Sequence, residues 1–171
     1  GNGGRGLGFG EERVTLLSGT FGKAFGSGGA FLACDSELGE KLLQESGAFR
    51  YTTALAPPLA AGALAALELI RTNPNWGRQL VERSDNWRDR LAETGWARPT
   101  GRGPILPLIV GDDQRCLNLQ HQLELAGLLT AAIRPPTVPE GSARLRLVLH
   151  RCLPDETLES LLRALSVARA A

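Results

Sequence analysis

Lys23 stands in the run Gly19-Thr20-Phe21-Gly22-Lys23-Ala24-Phe25-Gly26-Ser27-Gly28-Gly29, where five of eleven residues are glycine. Such a loop permits unusual dihedrals and a close approach of its backbone to something else. All 19 basic residues except Lys23 and Lys41 are arginine, so a lysine in this setting draws attention. Three uses compete for it. It is a solvated surface amine, a point charge on a phosphate, or a Schiff-base amine for a carbonyl or for pyridoxal phosphate. A nucleotide P-loop fits badly, because it needs Gly, four residues and then Gly-Lys-Ser/Thr. Leu17 and Ala24 occupy the first and last of those places. A Schiff-base amine must be partly unprotonated, which calls for dry or electropositive surroundings. Phe21 and Phe25 offer the dry part, and Thr20, Thr52 and Thr53 offer hydroxyls suited to a phosphate oxygen.

Arg134 is the second candidate. It closes an apolar run and is followed by Pro135 and Pro136, which fix the backbone. A guanidinium on a rigid edge suits two-pronged binding of a carboxylate, and a solvated arginine is the alternative. Arg144 and Arg146 alternate with leucines, which reads as a solvated face or an ion pair between domains. His121 and His150 have no Ser, Cys or carboxylate at a spacing that makes a catalytic set. Cys34, Cys116 and Cys152 form no metal-like pair and read as small hydrophobes of a reducing compartment, which points to the cytoplasm.

The elements that carry these groups are legible from periodicity. Residues 14–18 and 30–34 read as short buried strands on either side of the glycine loop. Asp35 or Ser36 caps a helix over 36–46 that Gly47 ends, and residues 49–53 read as extended or irregular. Pro57 and Pro58 open a helix to about Ile70. Asn73 and Pro74 begin a third, with Trp76, Leu80, Ser84, Trp87 and Leu91 on one face and Gly95 beyond its end. Then follow a strand over 105–110, a helix capped by Asp112 or Asp113 and closed by Gly127, and a strand over 128–133. A rigid loop leads to a strand over 144–150, and Pro154 and Asp155 start a last helix. Leu145, Leu147 and Leu149 face one way along their strand and Arg144, Arg146 and His150 the other. The pattern predicts a sheet with helices mainly on one face.

Composition bounds the alternatives. The chain has 171 residues, 43% hydrophobic and 22% charged, enough for a packed core and unlike a disordered chain. The 19 basic against 18 acidic residues give no support to a nucleic-acid partner. The longest apolar stretch, 54–67, is broken by Pro57, Pro58 and Gly62 and is too short to span a bilayer, so no membrane role is expected. The opening Gly1-Asn2-Gly3-Gly4 lacks the pattern of a signal peptide and reads as a fragment start or a linker end.

Taken together, the residues are similar to the α-oxoamine synthase family of pyridoxal-phosphate enzymes. The run Gly19 to Gly26 resembles the family's cofactor-lysine motif, and RYTTALAPP at 50–58 its phosphate-contacting segment. LIVG at 108–111 and AIRPPTVPEGSARLRLVL at 132–149 resemble the small domain of its biotin-pathway branch. The likeness covers essentially the whole chain. It implies the α/β fold of a fold-type I pyridoxal-phosphate transferase: the end of the large domain at 1–72, a connecting helix at 73–95 and a small α/β domain at 96–171. It implies that Lys23 bonds the cofactor and acts as acid and base at the substrate α-carbon. By the same likeness Thr20 would contact the phosphate, Thr52 the phosphate of a neighbouring subunit's cofactor in a homodimer, and Arg134 the amino-acid carboxylate. The implied reaction condenses L-alanine with a pimeloyl thioester, on coenzyme A or a carrier protein, and releases carbon dioxide. The family's aspartate at the pyridine nitrogen and its histidine on the ring belong to a segment before the opening glycines. The chain therefore reads as roughly the last two-fifths of such an enzyme, inert alone unless an upstream piece joins it. Two other readings stay open: a sister enzyme making 5-aminolevulinate or 2-amino-3-oxobutyrate, and a non-catalytic α/β partner module.

Overall fold

A computed structural model describes residues 10–170, so the opening glycine stretch at 1–9 lies outside the described residues. The chain divides into two compact units, Gly1–Gly77 and Arg78–Ala171.

The first unit holds an antiparallel hairpin of β1 (Leu17–Thr20) and β2 (Ala30–Ala33), with Leu17 opposite Ala33 and Thr20 opposite Ala30. Both strands differ from expectation. β1 starts three residues later than the apolar run, and neither strand is buried; β2 is exposed throughout. The ribbon pairs with no third strand among the described residues, and a two-stranded ribbon buries little by itself. Helix α1 (Ser36–Glu45) is capped by Asp35, whose carboxylate accepts from the Leu38 N–H at 2.8 Å. It ends at Ser46, not Gly47. Ser46 starts a second helical turn, α2 (Gly47–Arg50), so Phe49 and Arg50 are helical where irregular chain was expected. The reason is local: the Ser46 hydroxyl accepts from the Phe49 N–H, and the Arg50 guanidinium donates back to the Gln44 carbonyl at 3.0 Å. Helix α3 (Pro57–Thr72) opens on its two prolines, which need no N–H partner there.

Helix α4 (Trp76–Glu93) begins two residues before the second unit and belongs mostly to it. It starts at Trp76 because Asn73 terminates α3 and Pro74-Asn75 form a turn. The second unit carries a three-stranded antiparallel sheet in the order β3 (Ile105–Gly111), β5 (Ala143–Val148), β4 (Ala131–Ile133). Helix α5 (Asp113–Leu125) lies across all three strands and against α6 (Thr157–Ala170). Leu106 and Leu108 of β3 and Leu145 and Leu147 of β5 are buried beneath Trp87, Leu91, Leu119, Leu123 and Leu161. Ile105, Ile109, Arg146 and Val148 are exposed on the other face. The alternation thus places the helices on one side, as expected.

Two strand limits and one cysteine depart from the sequence reading. β4 loses residues 128–130 because the bonds that cap α5 run past its last helical residue, Leu125. The Leu128 N–H reaches the Leu123 carbonyl at 2.8 Å, the Gly127 N–H reaches Glu124, and Gly127 takes φ +79°. This is a Schellman end, and it leaves Leu129 88% exposed. β5 stops at Val148, since the Leu149 N–H bonds Pro104 outside the ladder. Cys152 is exposed in a turn and so does not act as a small hydrophobe, whereas Cys116 is fully buried.

The α5 cap offers a direct check of this local logic. The Asp112 carboxylate accepts from the Arg115 N–H at 2.7 Å. Asp112→Ala is expected to cost about 1 kcal/mol, read as a lower urea midpoint at unchanged slope.

Candidate cofactor and substrate site

The glycine-rich segment is the turn of the β1–β2 hairpin, and its shape is set by backbone bonds. Phe21 N–H donates to Gly29 at 2.9 Å, Ser27 N–H to Phe21 at 2.9 Å, and Gly26 N–H to Lys23 at 3.0 Å. The Ser27 hydroxyl ties the turn to α3 through the Leu59 carbonyl at 2.6 Å. Part of the glycine content is therefore structural. A Cβ on Gly19 would stand 2.4 Å from the Phe31 ring, and one on Gly29 would stand 3.0 Å from Leu55 at a φ of +88°. The close approach expected of this loop is, at these two places, to the chain's own side chains.

Lys23 sits at the exposed tip, and its amine makes no hydrogen bond or ion pair with the described residues. Phe21 packs edge-on against Phe25 at 5.2 Å and beside Phe31 at 5.5 Å, an aromatic base under the turn. The dry setting expected for the amine is only half supplied here: the aromatics are present, but Lys23 itself is exposed. Thr20 shares the turn. Its hydroxyl accepts from the Gly22 N–H at 3.2 Å and lies 3.3 Å from the Gly29 carbonyl, a long and easily redirected bond. Thr52 is exposed in the connection between α2 and α3, three residues before Leu55, which touches the turn at Gly29. The first unit thus gathers Lys23 and Thr20 in one turn, with Thr52 on the neighbouring segment.

Arg134 belongs to the second unit. It lies just beyond β4, exposed. Its positive charge is felt at Cys116 on α5, where burial pushes the thiol up, Arg134 pulls it down and Asp113 adds to the rise. Burial dominates, so Cys116 stays a neutral thiol and no nucleophile. The alternating arginines of β5 carry a group that the sequence reading passed over. Arg144 is half-buried and spends its Nε on the Ser142 carbonyl at 2.9 Å. Arg146 is exposed, opposite the small neighbours Pro107 and Ala131, and its side chain has no bonded partner among the described residues. The Arg-Leu-Arg-Leu alternation was the signal. It marked Arg146 as outward-facing without saying whether it faced water or a ligand. No three His, Cys, Asp or Glu side chains gather to hold a metal among the described residues, and no described helix is long and apolar enough to cross a membrane.

The profile of the family described as aminotransferase class I and II matches residues 3–165. The chain belongs to that family. Among its relatives, the 8-amino-7-oxononanoate synthase of Ectopseudomonas mendocina is 44% identical over 161 residues, covering 94% of this chain and 41% of the relative. The 8-amino-7-oxononanoate synthase of Stutzerimonas stutzeri is 45% identical over 164 residues with the same coverage. A solved Sphingomonas wittichii serine palmitoyltransferase superposes with a TM-score of 0.84 at 27% identity, over 92% of this chain and 40% of that one. The chain of this aminotransferase class I and II member thus spans about two fifths of the length of those curated relatives. The fold class expected from the sequence, the fold-type I arrangement, is the one it shares with these neighbours.

Proposed function

We propose that this chain carries the cofactor lysine and the carboxylate-binding small domain of an 8-amino-7-oxononanoate synthase. Such an enzyme joins L-alanine to a pimeloyl thioester in biotin biosynthesis, as a cytoplasmic homodimer. One observation carries the reading: an exposed, unpartnered lysine shares a glycine-shaped turn with Thr20. It does so in a chain 44% identical to a synthase of that name.

Pyridoxal phosphate fits these residues. Lys23 is a primary amine free of competing bonds, the turn exposes it, and Thr20 holds a hydroxyl that a phosphate oxygen can recruit. Lys23 holds the cofactor, with Thr20 on its phosphate and Thr52 on that of the neighbouring subunit. The bound cofactor supplies an aldehyde and a ring that stores the electron pair released at the substrate α-carbon. Lys23 takes the α-proton of alanine and returns a proton at the end. A carbon–carbon bond forms between alanine's α-carbon and the thioester carbonyl; the thiol leaves, and alanine's carboxylate departs as carbon dioxide. Arg134, on its proline-fixed edge, grips a substrate carboxylate and orients the bond to be broken. Arg146 is a second candidate for the amino-acid carboxylate, favoured by its seat on a central strand and its lack of a partner.

The test is a chimera in which this chain replaces the matching segment of the Ectopseudomonas mendocina enzyme. With pimeloyl-CoA it is expected to use L-alanine at least about tenfold better than glycine, the difference one methyl group commands in a pocket. Preference for glycine or serine would move the chain to a sister activity. A folded, cofactor-free and inactive chimera would favour the partner-module reading.

A further inference from the structure

We infer that Ser27 is a positioning residue for Lys23: its hydroxyl donates to the Leu59 carbonyl at 2.6 Å and so sets where the lysine turn stands on α3. This rests on the role proposed for Lys23. That role asks one amine to serve at two places, on the cofactor and then at alanine's α-carbon. A misplacement of about 1 Å in such an arrangement costs about 10²-fold in rate. A turn with five glycines in eleven residues does not supply that precision by itself.

The shape of the turn and its placement have different sources. Shape comes from backbone bonds within it: Phe21 with Gly29 closes the hairpin, Ser27 with Phe21 closes the loop over 21–27, and Gly26 with Lys23 folds the tip. None of these reaches another element. Placement comes from residues 27–29, which meet α3 and the segment leading into it. A Cβ on Gly28 would stand 3.1 Å from the Leu59 side chain, and one on Gly29 3.0 Å from that of Leu55, so the backbone lies close on both leucines. Those contacts are apolar and carry no direction, so alone they let the turn slide. The Ser27 bond does carry direction. It is the one hydrogen bond between the turn and α3 among the described residues. Gly62, three residues after Leu59, faces the same hydroxyl; a Cβ there would lie 3.6 Å from it. Ser27 therefore rests on the helix itself, four residues after the lysine and at the base of its loop. The same contacts hold the lysine turn against the segment of Thr52, because Leu55 follows Thr52 by three residues.

Amide hydrogen exchange on the full chain, with no cofactor added, reads the tie directly. Ser27→Ala is expected to speed exchange across residues 21–29 about 2- to 10-fold and to leave peptides of the second unit unchanged. In the chimera with pyridoxal phosphate, the second readout is exchange of alanine's α-proton with D2O in the absence of thioester. Ser27→Ala should slow it about 10- to 100-fold at saturating alanine, with the KM for alanine within about twofold. Borohydride should still add the cofactor mass to the Lys23 peptide. Ser27→Thr, which keeps the hydroxyl, should recover most of the rate, and Ser27→Val should not. Unchanged amide exchange, an α-proton rate in Ser27→Ala equal to that of the unmutated chimera, a loss in KM alone, or Ser27→Thr as slow as Ser27→Ala would each overturn the inference and leave the role of Lys23 standing. An unmutated chimera that takes up the cofactor yet exchanges no α-proton would overturn the proposed function instead.

Discussion

Lys23→Ala in the chimera is expected to remove product formation by roughly 10²- to 10⁴-fold from lost proton transfer alone, with further loss from weakened cofactor attachment. The chain makes the experiment unusually clean, because Lys41 is its only other lysine. Lys41 sits exposed on α1. Borohydride reduction in the presence of pyridoxal phosphate should add the cofactor mass to the Lys23 peptide of the chain, and Lys23→Ala should lose it. Lys41→Ala should keep both the mass and the activity. Lys23→Arg separates charge from chemistry: it preserves a cation at the turn but supplies no amine to attack at neutral pH. Full activity in Lys23→Arg, or mass added at Lys41 alone, would end the catalytic reading of the turn. The turn itself should survive these changes, since its shape is set by the backbone bonds of Phe21, Gly26 and Ser27 and not by the lysine side chain.

What could be read from sequence and what could not divides along a physical line. Local rules were legible. Asp35 and Asp112 announce their helices because a carboxylate before an apolar period has one obvious use. The Leu145 and Leu147 alternation fixed which face of β5 is buried. The carriers of the proposed chemistry were legible too, because Lys23 is rare in type and odd in setting. Non-local facts were not. Residues 14–18 are apolar enough for a buried strand, yet among the described residues β1 pairs only with β2 and stays partly exposed. Burial depends on what covers a segment, and periodicity within the segment does not report it. The start of β4 was missed for a subtler reason. Gly127 was recognised as its stop, but the left-handed residue also draws Leu128 into the helix's last bonds, which shortens the strand that follows. The glycines of the turn were read as allowing a close approach to something unspecified, and at two of them the neighbour is the chain's own Phe31 or Leu55.

Arg88 shows the same limit from the other side and supports the second large effect. Ser84, Arg88 and Leu91 are four and three residues apart and share the covered face of α4, although the sequence reading of that face did not include Arg88. A charge on that face is easily set aside as solvated, yet the Arg88 side chain is 0% exposed. It is tolerated because it is put to use. Nη2 donates to the Gly103 carbonyl at 2.7 Å and to Ile105 at 3.3 Å, and Nη1 meets Asp85 at 3.1 Å. Nε remains buried with no partner. The guanidinium therefore clips the start of β3 to α4. Arg88→Ala would strand two inward carbonyls, each at about 1–3 kcal/mol if left unsatisfied, and would leave a cavity beside Trp87 and Leu91. We expect a loss of about 3–5 kcal/mol, the range for breaking a buried charged contact on one side. For a unit of this size that lowers Tm by more than about 10 °C. Asp85→Asn should cost under about 1 kcal/mol, because Asp85 is 43% exposed and solvent already screens its pairing. Arg88→Lys should fall between the two, since a single ammonium cannot reproduce the fork that spans Gly103, Ile105 and Asp85. The discriminating measurement is urea unfolding of the full chain followed by Trp fluorescence, which reports Trp87 in this core. If Arg88→Ala shifted the midpoint no further than Asp85→Asn, the clip would be idle and water would be satisfying both carbonyls.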